Sequence, residues 1–182
     1  MFRAELVKIA KAFHSANIPY LVIGGQAVLL YGESRLTNDI DITLGIDSSH
    51  FKTIKNITES NGYFSDVDEN FVLRTNVFPV INTESGIRVD LIFSYTEYER
   101  IAIERTNSYT IENTSICFAS IEDVIIHKIF AGRARDLDDV RGILIRNLPF
   151  DKSYIEHWLH IFELELGKDY LKTFAKILES ER

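Results

Sequence analysis

The chain has 182 residues, 46% of them hydrophobic, a formal net charge of −7 and one cysteine, Cys117. That length supports one well-buried core, or a core with a small helical appendage, and the acidic balance argues against a protein that coats nucleic acid through a uniformly basic surface, although a local Arg/Lys patch is still open to it. A single cysteine excludes an internal disulfide, no apolar run approaches the roughly eighteen residues of a membrane span, and no signal-peptide pattern is visible, so a reducing, cytoplasmic setting away from membranes is expected.

In chain order, residues 2–16 predict an amphipathic helix, with Phe2, Leu6, Ile9, Ala10 and Phe13 recurring at three- and four-residue spacing before the stop at Asn17-Ile18-Pro19. Residues 20–23 read as a short buried strand that ends in a turn at Gly24-Gly25, and 26–31 as the first turns of a helix whose N-terminal amides point back toward the strand end. Residues 38–44 predict a second strand, and Ser48 opens a helix to about Ser60. After Gly62 and an acidic turn over 65–70, two strand-like runs follow at 71–74 and 77–82. A turn at 83–86 and a strand at 87–94 complete a hairpin whose outgoing arm Pro79 confines to an edge or a bulge. A short helix over 96–103 and strands at 109–112 and 116–119 close the strand-rich half. From Ser120 the period is helical. Ser120 caps 121–132, with Glu122 and Asp123 in the first turn, and three more helices follow near 136–147, 152–166 and 168–180. The expected division is a core over 1–119 with a helical region over 120–182 packed on it.

The chemistry lies in that core. Thirteen residues separate Gly25 from Asp39-Ile40-Asp41, and the period of two in a strand puts Asp39, Asp41 and Thr43 on one face while Ile40, Ile42 and Leu44 face a core. Aspartate is depleted in strands, and two like charges about 7 Å apart disfavour each other's ionisation, so the arrangement calls for a cation between them. Oxygen ligands without a Cys/His cluster suit magnesium or manganese, and magnesium typically brings substrate phosphates with it, which implies a nucleoside triphosphate. In the return arm of the hairpin Ile87, Val89, Leu91 and Phe93 share one face, and Arg88 and Asp90 the other. Asp90 is thus a third carboxylate in an apolar strand, or a solvated outer-face residue paired with Arg88.

These residues resemble the nucleotidyltransferase superfamily. Its pattern is a hydrophobic residue, Gly-Gly or Gly-Ser, about nine to thirteen residues, Asp-hydrophobic-Asp/Glu, and later hydrophobic-Asp-hydrophobic. Here the matching residues are Ile23-Gly24-Gly25, Asp39-Ile40-Asp41 and Val89-Asp90-Leu91. The text around them, Gly24-Gly25-Gln26-Ala27 and Arg35-Leu36-Thr37-Asn38-Asp39, looks more narrowly like the bacterial branch of abortive-infection toxin nucleotidyltransferases and small antibiotic nucleotidyltransferases. Residues 125–140, with Lys128, Ala131-Gly132-Arg133, Arg135-Asp136 and Asp139-Val140, are similar to the helix pair that toxin-like members carry downstream.

The resemblance implies an α/β (α+β) fold: a small mixed sheet flanked by helices, with a C-terminal helical extension. It also implies an enzyme that moves an NMP from an NTP to an acceptor hydroxyl, with two magnesium ions held by Asp39, Asp41 and Asp90. Asp90 would activate the acceptor, Lys128 would join the catalytic set, and Gly24, Gly25, Arg35, Thr37 and Arg133 would bind nucleotide. The acceptor ranks as an RNA or tRNA 3′ end first, then a protein or a small antibiotic, with a cognate antitoxin as partner. The rival is a non-catalytic nucleotide- or partner-binding module.

Several basic and aromatic residues have plainer readings. Lys128 is equally a solvated helix residue, Arg35 a loop cap and Asp136 the N-cap of the next helix. His127 points elsewhere, and His157 and His160 lack a third metal ligand. Tyr154, Trp158, Phe162, Tyr170 and Phe174 read as helix packing rather than a base-stacking platform.

Overall fold

The computed structural model describes residues 1–33 and 36–180. Two compact units emerge, Met1–Gln26 with Leu36–Ala119, and Ala27–Arg35 with Ser120–Arg182.

The first unit is built on one mixed seven-stranded sheet. Its strands are β1 (Tyr20–Ile23), β2 (Asp39–Leu44), β3 (Tyr63–Phe64), β4 (Val77–Asn82), β5 (Arg88–Phe93), β6 (Asn107–Ile111) and β7 (Thr114–Phe118), in the spatial order β3-β4-β5-β2-β1-β7-β6. β2 runs parallel to β5 and antiparallel to β1, and its register sets Ile40 against Val89, Ile42 against Leu91 and Leu44 against Phe93. All six side chains are fully buried, each contributing about 1.5–3 kcal/mol of apolar burial. The alternation seen in the sequence therefore fixes which face of both strands is core, and so which face is left to Asp39, Asp41 and Asp90. The unit's helices are α1 (Phe2–Ser15), the start of α2 (Gly24–Tyr31), α3 (Phe51–Ser60) behind a 3₁₀ turn at Ser48–His50, α4 (Glu69–Thr75) and α5 (Glu97–Glu104).

Three expectations are corrected here. Residues 71–74 are helix α4, not a strand, because the Asp68 carboxylate accepts the Phe71 N–H at 2.7 Å as an N-cap and Asn76, at φ 55°, ends the helix. The two-residue strand β3 had no periodic signal. β4 is not an edge strand, but β3 pairs only with Ile81 and Asn82, and at Pro79 the carbonyl accepts the Ser65 hydroxyl at 2.6 Å instead. The side of Pro79 that lacks an N–H thus faces no ladder. Finally, α2 begins at Gly24 itself rather than after the glycine pair.

A buried carboxylate ties α1 to the β4–β5 turn. Glu5, 4% exposed, accepts hydrogen bonds from the Tyr63 hydroxyl, from Asn82 Nδ2 at 2.9 Å and from Ser85 Oγ at 2.9 Å. Burial first, and then the bond to Glu5, push the Tyr63 hydroxyl far above its ordinary range, so it stays a proton donor.

The second unit is helical: the rest of α2, then α6 (Ile121–Ala131), α7 (Ala134–Ile145), α8 (Lys152–Leu166) and α9 (Tyr170–Ser180). Ser120 caps α6 as expected, its hydroxyl accepting the Asp123 N–H at 3.1 Å. α6 packs on α7 and α8, and α8 on α9. The aromatic residues are packing groups: Phe130 stacks on Tyr170 with centroids 5.6 Å apart and meets Phe162 edge-on at 5.3 Å.

Candidate active site

The parallel register of β2 and β5 places Asp41 directly opposite Asp90 and Asp39 opposite Arg88. One carboxylate oxygen each from Asp39, Asp41 and Asp90 lies within 4.8 Å of the other two, and all three residues are half-buried. Among the described residues this is the one group of three or more side chains able to hold a metal ion. At such a separation each pair of like charges repels by about 3 kcal/mol in a surface-like dielectric. The local fold therefore needs positive charge here.

Part of it is supplied by Arg88, whose Nε donates to Asp90 Oδ1 at 2.7 Å. Both readings of Asp90 thus hold at once, as partner of Arg88 and as third carboxylate. The hydrogen bond to Asp90 and its charge, joined by the charges of Asp39 and Asp41, hold the guanidinium above its ordinary value. Arg88 thus offsets part of the negative charge of the three carboxylates.

The glycine pair is explained by these side chains as much as by any ligand. Gly24 sits at φ +63°, and a Cβ there would lie 1.8 Å from Asp41 Oδ2. A Cβ on Gly25 would lie 2.7 Å from Thr37 Oγ1. Thr37 in turn donates to Asp39 Oδ1 at 3.0 Å. Gly24, Gly25, Thr37, Asp39 and Asp41 are thereby one packed group, and the glycines are required so that the carboxylates can approach the start of α2. Arg35 lies outside the described residues.

Lys128 and Arg133 belong to a second ion cluster within the helical unit. Lys128 is 6% exposed, with Nζ 2.9 Å from Asp136 Oδ1 and 2.8 Å from Asp139 Oδ2. It is therefore not a solvated helix residue. Arg133 Nε donates to Asp136 Oδ2 at 2.6 Å from a side chain that is 77% exposed. Asp136 is not the N-cap, since Arg133 occupies that position and Asp136 lies in the first turn, where its carboxylate turns to Lys128 instead of to backbone amides. Burial raises the Asp136 carboxyl, but the hydrogen bonds and charges of Arg133 and Lys128 outweigh it and hold the group below the ordinary carboxylate value. The i, i+3 spacing of Asp136 and Asp139 was the available signal for this cluster.

No helix among the described residues is long and apolar enough to cross a membrane. In comparison with known proteins, residues 4–157 match a family described as nucleotidyltransferase of unknown function (DUF6036). Among solved structures, an antigenic nucleotidyltransferase-like protein from Paracoccidioides brasiliensis is 15% identical at a TM-score of 0.58, over 97% of this chain and 91% of that one. The lincosamide antibiotic adenylyltransferase LnuA, lincomycin-bound, is 19% identical at a TM-score of 0.54, over 77% of this chain and 94% of its own. ANT(2″)-Ia in complex with adenylyl-2″-tobramycin is 17% identical at 0.53, over 78% and 86%. At these identities the likeness is one of fold. No curated protein matches the sequence.

Proposed function

The chain belongs to this family of nucleotidyltransferases and is an enzyme of nucleotidyl transfer, and from that premise we propose that it moves a nucleoside monophosphate from an NTP to an acceptor hydroxyl, releasing pyrophosphate. The observation that carries this reading is the convergence of Asp39, Asp41 and Asp90 on one face of β2 and β5. The donor set fits a hard divalent cation, with carboxylate oxygens and neither sulfur nor imidazole, so these three residues would hold magnesium, or manganese in its place. Two such ions would stabilise charge on the attacking and leaving oxygens.

The chain's own residues do the rest. Asp90 takes the proton of the acceptor hydroxyl as its oxygen bonds to the α-phosphorus and the bond from that phosphorus to the pyrophosphate oxygen breaks. The first amides of α2, at Gly24 and Gly25, lack intrahelical partners and offer N–H groups to phosphate oxygens. Thr37 holds Asp39 in orientation through its hydroxyl. Arg35 and Arg133 are proposed to neutralise the outer phosphates, and Lys128 to support the catalytic set by anchoring Asp136, which also holds Arg133.

As acceptor we rank an RNA 3′ end first, on the resemblance of residues 35–41 and 125–140 to toxin-like members, with a cognate antitoxin as the partner that goes with that role in the cytoplasm. A small-molecule hydroxyl is the second reading. It is favoured by the folds of the lincomycin-bound and adenylyl-tobramycin structures, which match over 77% and 78% of this chain.

The test is label transfer from each α-labelled NTP, with magnesium, into separated RNA, protein and small-molecule fractions, with Asp41→Asn beside the wild type. Label in one fraction with the wild type alone supports transfer and names the acceptor class. Equal labelling by both proteins, or none in any fraction, counts against it.

A further inference from the structure

We propose that Arg88 is a built-in counter-cation of the carboxylate trio, exchanged for the metal when the site loads, so that a divalent ion must break the Arg88–Asp90 pair before Asp90 can join its coordination. This rests on reading the trio as a cation site, but not on transfer.

Three observations carry the exchange. Arg88 stands directly opposite Asp39 in the β2–β5 register and two residues from Asp90 on the same face, so it borders two of the three carboxylates. Its grip on Asp90 is one Nε–H bond at 2.7 Å rather than a two-pronged guanidinium–carboxylate fork. Finally, the Arg88 side chain is 54% exposed while that of Asp90 is 17% exposed. The anion is thus held by the fold, whereas the cation can swing into water without leaving a cavity.

With Arg88 in place the trio is partly neutralised, which steadies the metal-free protein and weakens its attraction for an incoming cation. On the β4 side the neighbour of Arg88 is Ile81, 47% exposed. A released guanidinium therefore stays on the open face of the sheet.

The measurement is Mn2+ binding by electron paramagnetic resonance, together with thermal unfolding with and without Mn2+, on the wild type, Arg88→Gln, Arg88→Lys and Asp41→Asn. Arg88→Gln is expected to bind Mn2+ about ten-fold more tightly, on the order expected for removing one neighbouring charge. Its metal-free melting temperature is expected to fall and to be recovered by Mn2+, so that its metal-induced shift exceeds that of the wild type. Arg88→Lys, which keeps the charge, should stay near the wild type. Unchanged or weaker binding by Arg88→Gln overturns the exchange, as does a gain that Arg88→Lys reproduces. Asp41→Asn separates the two readings: if the wild type binds no more Mn2+ than Asp41→Asn, the cation site itself falls. Tighter binding by Arg88→Gln without nucleotide transfer by any variant leaves the exchange standing and counts against the transferase chemistry.

Discussion

The molecule contains two clusters of aspartates with cations, and they are opposite in design. In the sheet unit Arg88 stands beside three half-buried carboxylates, its side chain 54% exposed and joined to Asp90 by a single hydrogen bond. In the helical unit Asp136 and Asp139 close on Lys128, their side chains 2%, 5% and 7% exposed in that order, and Arg133 reaches Asp136 from a side chain that is 77% exposed. Buried ion pairs of this kind add little net stability, while the loss of one partner is costly. Carboxylates beside a cation that is half in water remain open to a ligand. The comparison separates a set of charges that locks helices from one that awaits a partner.

The strongest way to break the comparison is to neutralise one carboxylate of the open cluster. Asp41→Asn should lower NMP transfer on the order of 10³-fold, as expected when several kcal/mol of charge stabilisation is lost. Label transfer reads the loss. The mirror experiment is Lys128→Met, which removes the buried cation between Asp136 and Asp139 and should cost about 3–5 kcal/mol of stability by urea titration. If Lys128→Met left stability unchanged, the sealed cluster would not be structural.

Smaller effects sharpen the picture. Gly24→Ala meets both the left-handed φ and Asp41 Oδ2, so a loss of about 1–3 kcal/mol is expected, with weaker Mn2+ binding as the carboxylate is displaced. The depressed Asp136 carboxyl adds stability that is fully present above the unfolded carboxylate range, about pH 4, and is lost as pH falls through the lower folded value. Acid unfolding followed by circular dichroism should therefore show a steeper loss below pH ~4 in the wild type than in Asp136→Asn. Last, Ser120→Ala removes the cap of α6 and should cost about 1 kcal/mol.

Sequence alone made the trio legible because strand period and glycine spacing are local signals: Asp39, Asp41 and Asp90 each follow from alternation within a single strand. What joins them is register between β2 and β5, which depends on pairing across more than forty residues and left no mark in the text. α4 was misread because Phe71–Arg74 is too short for its period to discriminate helix from strand, and only Asp68 and Asn76, the capping residues, carried the answer. Asp136 was misread for a related reason. Aspartate early in a helix fits a cap or an ion pair equally, and the deciding partner, Lys128, belongs to the preceding helix. The glycine pair was recognised, but its clash partners Asp41 and Thr37 needed three dimensions.

Glu5 has a consequence for how the chain assembles. Its partners lie 58, 77 and 80 residues downstream, so α1 cannot be fastened until β3 and the β4–β5 turn exist. Closing so long a loop is entropically slow compared with hairpin formation. In pulsed hydrogen-exchange refolding, the amides of α1 should acquire full protection after those of β4 and β5, and Glu5→Gln should delay α1 alone. Helix α1 is in this sense a latch, shut only after the strands that it fastens have formed.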